Sequence, residues 1–267
     1  MKKEVLAILS VALVVVIVGC GLWLGWYALD SHHQKEAFAG LSQEFLLEEL
    51  TATDEQSTEE NTAEEETSTV TLAVCDPNTP PRHDLAALQR ENSGCVGWLT
   101  IPDTGIDYPI MHTPDEPEHY LRRDFHGQSS SGGTPFLDGR NTAQAEGQNL
   151  TVYGHNMLDG SMFKPIVQYL EPNFRKTHQD IYLELGGAQY RYQVLAVLET
   201  TVESPVYRYT DLSDPAAESD FRAALFQAAN LDVIHHTQGY LTLSTCGDWG
   251  GDTRVLVVAS LAEEVGE

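Results

Sequence analysis

A mainly β domain, built as a barrel or a sandwich and preceded by a membrane-spanning helix and an acidic linker, is the fold class this sequence predicts. Three observations carry it. Short apolar, alternating runs recur from about Pro80 to Ala262 with turn residues between them, the pattern of a barrel or sandwich and not of a parallel α/β sheet. An almost unbroken apolar run fills Val5 to Leu29. Between the two lies a stretch crowded with acidic residues and poor in large apolar ones. The expected division is a short N-terminus (1–4), a span (5–29), a linker (30–79) and a folded domain (80–267). With 267 residues, 42% of them hydrophobic, one good-sized core is the natural count.

At about 1.5 Å per residue, Val5 to Leu29 exceeds the roughly 30 Å hydrocarbon core of a bilayer. A cleaved secretory signal would have an apolar region of only about 7 to 15 residues ending in small residues. Here Trp23, Trp26 and Tyr27 stand at the outer end, where amphipathic rings favour the headgroup level. Ile17-Val18-Gly19-Cys20 resembles the box cut before a lipid-modified cysteine, but the apolar run continues past Cys20. An uncleaved anchor is therefore expected, with Lys2 and Lys3 on the cytoplasmic side and everything after Leu29 outside.

Glu48-Glu49, Glu59-Glu60 and Glu64-Glu65-Glu66 lie among Thr, Ser, Gln and Ala. Thr51 to Thr69 cannot bury enough apolar surface to offset the entropy of ordering, and reads as a spacer. Within the linker, Phe38, Leu41, Phe45, Leu46 and Leu50 follow helical spacing over Gln34 to Leu50. Much of the net charge of −25 belongs to this linker, and the overall acidity argues against nucleic-acid binding.

In the folded domain, Asp84 to Arg90 has helical composition, and strands are expected at 97–102 and 106–111 around a Thr104-Gly105 turn. Further strands follow at 134–138, 149–154, 180–185, 190–200, 240–244 and 254–261, eight in all. A short helix is expected at 161–169. A longer one should open at Asp214-Pro215, with Asp214 as its cap and Phe221, Leu225 and Ala228 on one face.

The chemistry lies at the ends of three of these strands. Thr242-Leu243-Ser244-Thr245-Cys246 ends one strand in a thiol, and Arg254 stands eight residues later in the next. About ninety residues upstream, Val152-Tyr153-Gly154-His155-Asn156 puts an imidazole at the end of another strand. A free thiol has a pKa near 8.5, so at neutral pH it needs help to become a thiolate, which a fixed guanidinium supplies. The same guanidinium can hydrogen-bond the oxyanion of a tetrahedral intermediate, and the imidazole can pass a proton to and from an amine. Together they point to covalent acyl transfer. Alone, Cys246 would read as a small buried hydrophobe and Arg254 as a solvated strand-start charge; the polar, glycine-rich 247–252 that follows Cys246 favours an accessible thiol.

These motifs, with Asp159-Gly160-Ser161-Met162-Phe163, Gly97-Trp98-Leu99, Ile106-Asp107-Tyr108-Pro109, Tyr120-Leu121 and Gly133-Thr134-Pro135-Phe136-Leu137-Asp138, closely resemble the class B sortases of Gram-positive bacteria over about Asn92 to Leu261. The helical insert before the cysteine strand favours class B over the smaller class A. The resemblance implies an eight-stranded sortase β-barrel with a few peripheral helices. It also implies a membrane-anchored cysteine transpeptidase with His155, Cys246 and Arg254 as its catalytic residues. Its implied partners are secreted proteins bearing a C-terminal sorting signal and an amine of peptidoglycan or of its lipid-linked precursor. Strand alternation turns at least one of Ser244 and Thr245 to the cleft, and the resemblance favours their contact with substrate; Tyr153 and Leu121 are further candidates for the substrate groove.

Two other readings of the acyl-transfer chemistry exist. A pilus-assembling sortase would use a Lys of another protein as acceptor, and no lid-like insert precedes the core here. A Cys-dependent wall peptidase of papain type places Cys before His in the chain, the reverse of the order here, and no wall-binding repeat marks a non-catalytic surface module. Cys75 and Cys95 can close a loop of about twenty residues worth roughly 3 kcal/mol; Gram-positive surfaces use few disulfides, so free thiols are the preferred reading. Cys20 reads as a membrane-buried side chain. No Cys/His spacing suits zinc, and Asp115-Glu116 with Glu118 lacks a calcium-loop pattern, so neither metal nor cofactor is expected.

Overall fold

The computed structural model describes residues 2–47, 79–229, 236–247 and 251–265. Helix α1 (Lys2–Glu44) is continuous for 43 residues, about 65 Å at the helical rise. Its first part carries exposed apolar side chains from Ile8 to Val18 and again at Leu22, Trp23, Leu24, Trp26 and Leu29, and it is long and apolar enough to cross a membrane. Its last part is packed on the domain, with Phe38 and Leu41 buried. The helix expected from Gln34 is therefore the continuation of the span and ends at Glu44. Thr51 to Thr69 and Cys75 lie outside the described residues, while Cys95 carries a free, buried thiol that burial pushes up to about 12.

Strands buried along most of their length, among them Asn149–Tyr153, Asp180–Leu185 and Tyr240–Cys246, build a single closed sheet. In chain order the strands are β1 (Cys95–Ile101), β2 (Ile106–Met111), β3 (Phe136–Leu137), β4 (Asn149–Tyr153), β5 (Asp180–Leu185), β6 (Ala188–Thr201), β7 (Tyr240–Cys246) and β8 (Thr253–Glu264). They close in the order β1-β2-β3-β4-β7-β8-β6-β5, with β5 returning to β1 through pairs such as Leu99 with Leu183. All eight expected strands are present, and barrel closure resolves the choice between barrel and sandwich. The strand expected at 134–138 shrinks to Phe136–Leu137. Six of the neighbouring pairs are antiparallel; β2 with β3 and β4 with β7 are parallel. Trp98, Ile101, Ile110, Leu150, Leu183 and Val257 are among the fully buried side chains of the core. At Gly97 a Cβ would meet the Glu184 carbonyl oxygen at 2.3 Å, so the β1–β5 approach requires glycine.

The helices lie outside the barrel. α2 (Leu85–Glu91) is capped by Asp84, whose Oδ1 accepts from Ala87 N at 2.9 Å. The helix expected at 161–169 contracts to α3 (Lys164–Gln168), and a second short helix, α4 (Pro172–Thr177), follows. α5 (Pro215–Ala229) opens as expected, with Asp214 Oδ1 accepting from Ala216 N at 2.9 Å. Phe221 and Leu225 are buried beneath it, and Phe221 meets Tyr240 edge-on at 4.8 Å. Ala228, expected on that face, is exposed. Glu218 is buried there instead, paired with Arg222 at 3.0 Å and accepting from the Tyr240 hydroxyl at 3.4 Å.

Candidate active site

Parallel pairing of β4 with β7 decides where the chemistry collects. Tyr153 lies opposite Ser244, so both strands run out at the same rim of the barrel, one into Gly154-His155 and the other into Cys246. β8 pairs antiparallel with β7 and places Arg254 directly across from Cys246. Thiol, imidazole and guanidinium thus share one barrel end, although His155 lies about ninety residues before Cys246 in the chain. All three are half-buried and line one groove of about 730 Å³. Leu121, Tyr153, Ser244 and Thr245 line the same groove, so every residue singled out from the sequence faces it.

The imidazole is held from two sides. At Gly154 a Cβ would fall 2.6 Å from the Phe163 ring, so only glycine lets β4 turn into His155 at this place. His155 Nε2 donates to the Leu121 carbonyl at 2.8 Å, which fixes the tautomer and leaves Nδ1 for proton exchange. Burial, joined by the charge of Arg122, lowers the His155 pKa against the opposing pull of that carbonyl. The Leu121 backbone thus has a part the sequence does not reveal.

Cys246 ends β7, and its carbonyl accepts from Asn156 Nδ2 at 2.9 Å, tying the residue after the histidine to the cysteine itself. Thr245 Oγ1 donates to the Gly154 carbonyl at 2.8 Å, a second tie between the same two segments. On Arg254, Nη1 donates to the carbonyls of Thr253 at 2.8 Å and Gly251 at 3.2 Å, anchoring the guanidinium at the groove.

A polar wall completes the site. Asp138 accepts from Arg140 Nε at 2.9 Å and Nη2 at 2.8 Å, and from the Tyr153 hydroxyl at 2.8 Å. Burial works against the Asp138 charge, but these donors outweigh it and hold its pKa below the usual carboxylate range. Arg140 Nη2 also donates to the Tyr207 carbonyl at 2.9 Å, and the Tyr207 hydroxyl shares a 2.8 Å hydrogen bond with Ser244 Oγ. Burial raises the Tyr207 pKa; Ser244 and the Arg254 charge oppose the rise, and the Cys246 charge adds to it, so the phenol lies within electrostatic reach of both.

Residues 99–262 match the sortase domain family. Sortase B of Listeria monocytogenes is 35% identical over 180 residues, 65% of this chain and 71% of that protein. Sortase B of Staphylococcus aureus is 28% identical over 188 residues, 67% of this chain and 75% of that protein. The chain belongs to the class B sortases. The solved Staphylococcus aureus sortase B–substrate complex superposes with a TM-score of 0.60 at 26% identity, covering 67% of this chain and 84% of that one. Sortase B from Bacillus anthracis in complex with AAEK1 gives 0.58 at 30% identity, covering 66% and 83%.

As a sortase the protein is a cysteine transpeptidase, and among the described residues one helix, near the N-terminus, has the length and apolarity of a membrane anchor. Four residues in or beside the groove are not among those the sequence singles out. Asn156 and Asp138 stand inside motifs that carried the resemblance and could have been found there. Arg140 comes from a loop and Tyr207 from the 3-10 turn Pro205–Arg208, segments whose position only the closed barrel sets.

Proposed function

We propose that this sortase cleaves a C-terminal sorting signal of the Asn-Pro-x-Thr-x type after its Thr and joins the Thr carbonyl to an amine of peptidoglycan or of its lipid-linked precursor. The supporting observation is the cross-strand pairing of Cys246 with Arg254 beside His155 in one groove. The Cys246 thiolate attacks the carbonyl carbon, and the resulting oxyanion is met by the Arg254 guanidinium, whose planar donors gain strength as charge develops on that oxygen. His155 gives a proton to the departing amine and a thioacyl enzyme remains. The incoming amine attacks this thioester, His155 takes its proton, and the thiolate leaves as the new amide forms. Ser244, Thr245, Tyr153 and Leu121 line the path on which the signal would lie. The anchor crosses the membrane once, with Lys2 and Lys3 in the cytoplasm and the barrel outside, where both substrates are found.

The test is intact-mass analysis of the full chain in phospholipid nanodiscs, incubated with a library of Asn-Pro-x-Thr-x peptides and candidate amines. A Cys246-linked acyl adduct that an amine resolves is the expected result. Amide formation by Cys246→Ala would overturn the mechanism.

A further inference from the structure

The helix that carries the membrane span does not stop at the membrane surface. Its last part lies against the two segments between which His155 is held. On one side is the loop from His155 to Phe163. It is closed on itself by Phe163 N donating to the His155 carbonyl at 2.8 Å and by the bridge of Asn156 with Met162. Met162 holds a positive φ of 55°, a conformation that a side-chain-bearing residue keeps only when its surroundings enforce it. Asp159 stands at the tip of this loop, where its Oδ1 accepts from Ser161 Oγ at 2.7 Å and Ser161 N at 3.2 Å.

α1 grips that tip. Lys35 Nζ lies 2.7 Å from Asp159 Oδ2 and donates to the Asp159 carbonyl at 3.2 Å, and Ser31 Oγ donates to Asp159 Oδ2. Burial opposes the Asp159 charge, but Lys35, Ser31 and Ser161 hold its pKa far below the usual carboxylate range, so the Asp159 carboxylate faces Lys35 as an anion. A second grip passes through a ring: Phe38 of α1 packs on Tyr108 at 5.0 Å, and the Tyr108 hydroxyl accepts from Met162 N at 3.2 Å.

On the other side is the segment that supplies the Leu121 carbonyl to His155. Gln34 Nε2 donates to the Gly133 carbonyl, and Asp30 Oδ2 accepts from Ser131 N at 3.0 Å and from Ser131 Oγ. Gly133 has a φ of +60°, and a Cβ there would meet the Leu121 carbonyl oxygen at 2.3 Å. The backbone that α1 holds is thus in immediate contact with the atom that orients the imidazole.

We propose that the membrane-anchor helix is a positioning element of the active site, with Lys35 and Asp159 as the pair through which it sets His155. The proposal rests on the catalytic reading of His155 and Cys246 given above. In the full chain the anchor and the catalytic machinery form one body, and the imidazole is seated from outside the barrel. Displacing a catalytic group by an ångström or less is enough to lower turnover by an order of magnitude or more.

The test uses the full chain in phospholipid nanodiscs, an internally quenched Asn-Pro-x-Thr-x peptide and an amine acceptor. Lys35→Glu and Asp159→Lys are each expected to lower kcat by about 10-fold with KM within about twofold. The double exchange should return kcat to within about threefold of the parent, because it rebuilds the ion pair with the signs reversed. Lys35→Arg should keep most of the activity. Lys35 is half-exposed, so its variants keep the test alive if Asp159→Lys does not fold. The proposal is overturned if Lys35→Glu turns over like the parent, or if the exchanged pair is no better than either single variant. A parent chain that forms no Cys246 adduct would instead overturn the catalytic reading, so the two failures are distinct.

Discussion

Asn156 Nδ2 donates to the carbonyl of Cys246 at 2.9 Å, a bond that spans ninety residues of sequence and joins the segment carrying the imidazole to the strand carrying the thiol. Its geometry sets how far apart the two strand ends sit, so its loss should be felt in catalysis before it is felt in folding. Asn156→Ala is expected to lower kcat/KM by about 10- to 100-fold. Asn156→Asp should do no better, since a carboxylate has no donor to offer the carbonyl and repels it. Steady-state assays of both, beside circular dichroism of the folded barrel, check this; an Asp variant with parental activity would remove the bond from the mechanism.

Arg254 separates charge from shape. Arg254→Ala should cost roughly 100- to 1000-fold in kcat, the scale of losing an oxyanion donor. Arg254→Lys keeps the charge but loses the planar fork, and should fall between Ala and the parent. Equal activity of Lys and Ala variants would contradict the oxyanion role.

Tyr207 and Ser244 share a hydrogen bond in a wall where Ser244 is 2% exposed. Tyr207→Phe leaves that hydroxyl without its partner and should destabilise the barrel by about 1 kcal/mol. The same change alters the groove surface beside Cys246, so KM for the sorting peptide should rise while thiol alkylation by a small reagent stays near the parental rate. Peptide kinetics and alkylation rates measured on one preparation decide it.

Burial, aided by Arg122, depresses the His155 pKa below its ordinary value of 6.5. Between the folded and unfolded values the unfolded chain binds more protons, so stability rises with pH through that window. The contribution is complete above 6.5 and is lost as pH falls through the lower folded value. Thermal melts between about pH 7 and pH 5 should therefore fall less steeply for His155→Asn than for the parent. His112, also depressed chiefly by burial, leaves a residual slope in both. Parallel slopes would show that the imidazole is not buried as described.

Gly154 offers a check on packing. A Cβ there lies 2.6 Å from the Phe163 ring, which is itself fully buried. Gly154→Ala should destabilise by about 1 to 3 kcal/mol and lower activity by moving His155. Gly154→Ala combined with Phe163→Leu should recover part of both, measured by melting temperature and turnover.

The sequence by itself determined which segments become strands and which residues bear the chemistry. Strand alternation has a period of two residues, so β1, β2, β4, β5 and the central parts of β6, β7 and β8 are legible from local pattern alone. Cys246, His155 and Arg254 are legible for a similar reason: each stands at the end of such a run, in a motif of a few residues. Ala228 and the length of α3 were misread because local propensity does not know which face the barrel will cover. Only the tertiary structure decided that the sheet closes, that β4 lies parallel to β7, and that His155 and Cys246 therefore leave the barrel at the same rim. It alone brought Arg140 and Tyr207 to the groove and laid α1 across the loops around His155. Those arrangements depend on pairings between segments scores of residues apart, whose energy comes from burial and hydrogen bonds made only when both partners are in place, and no window of sequence contains both.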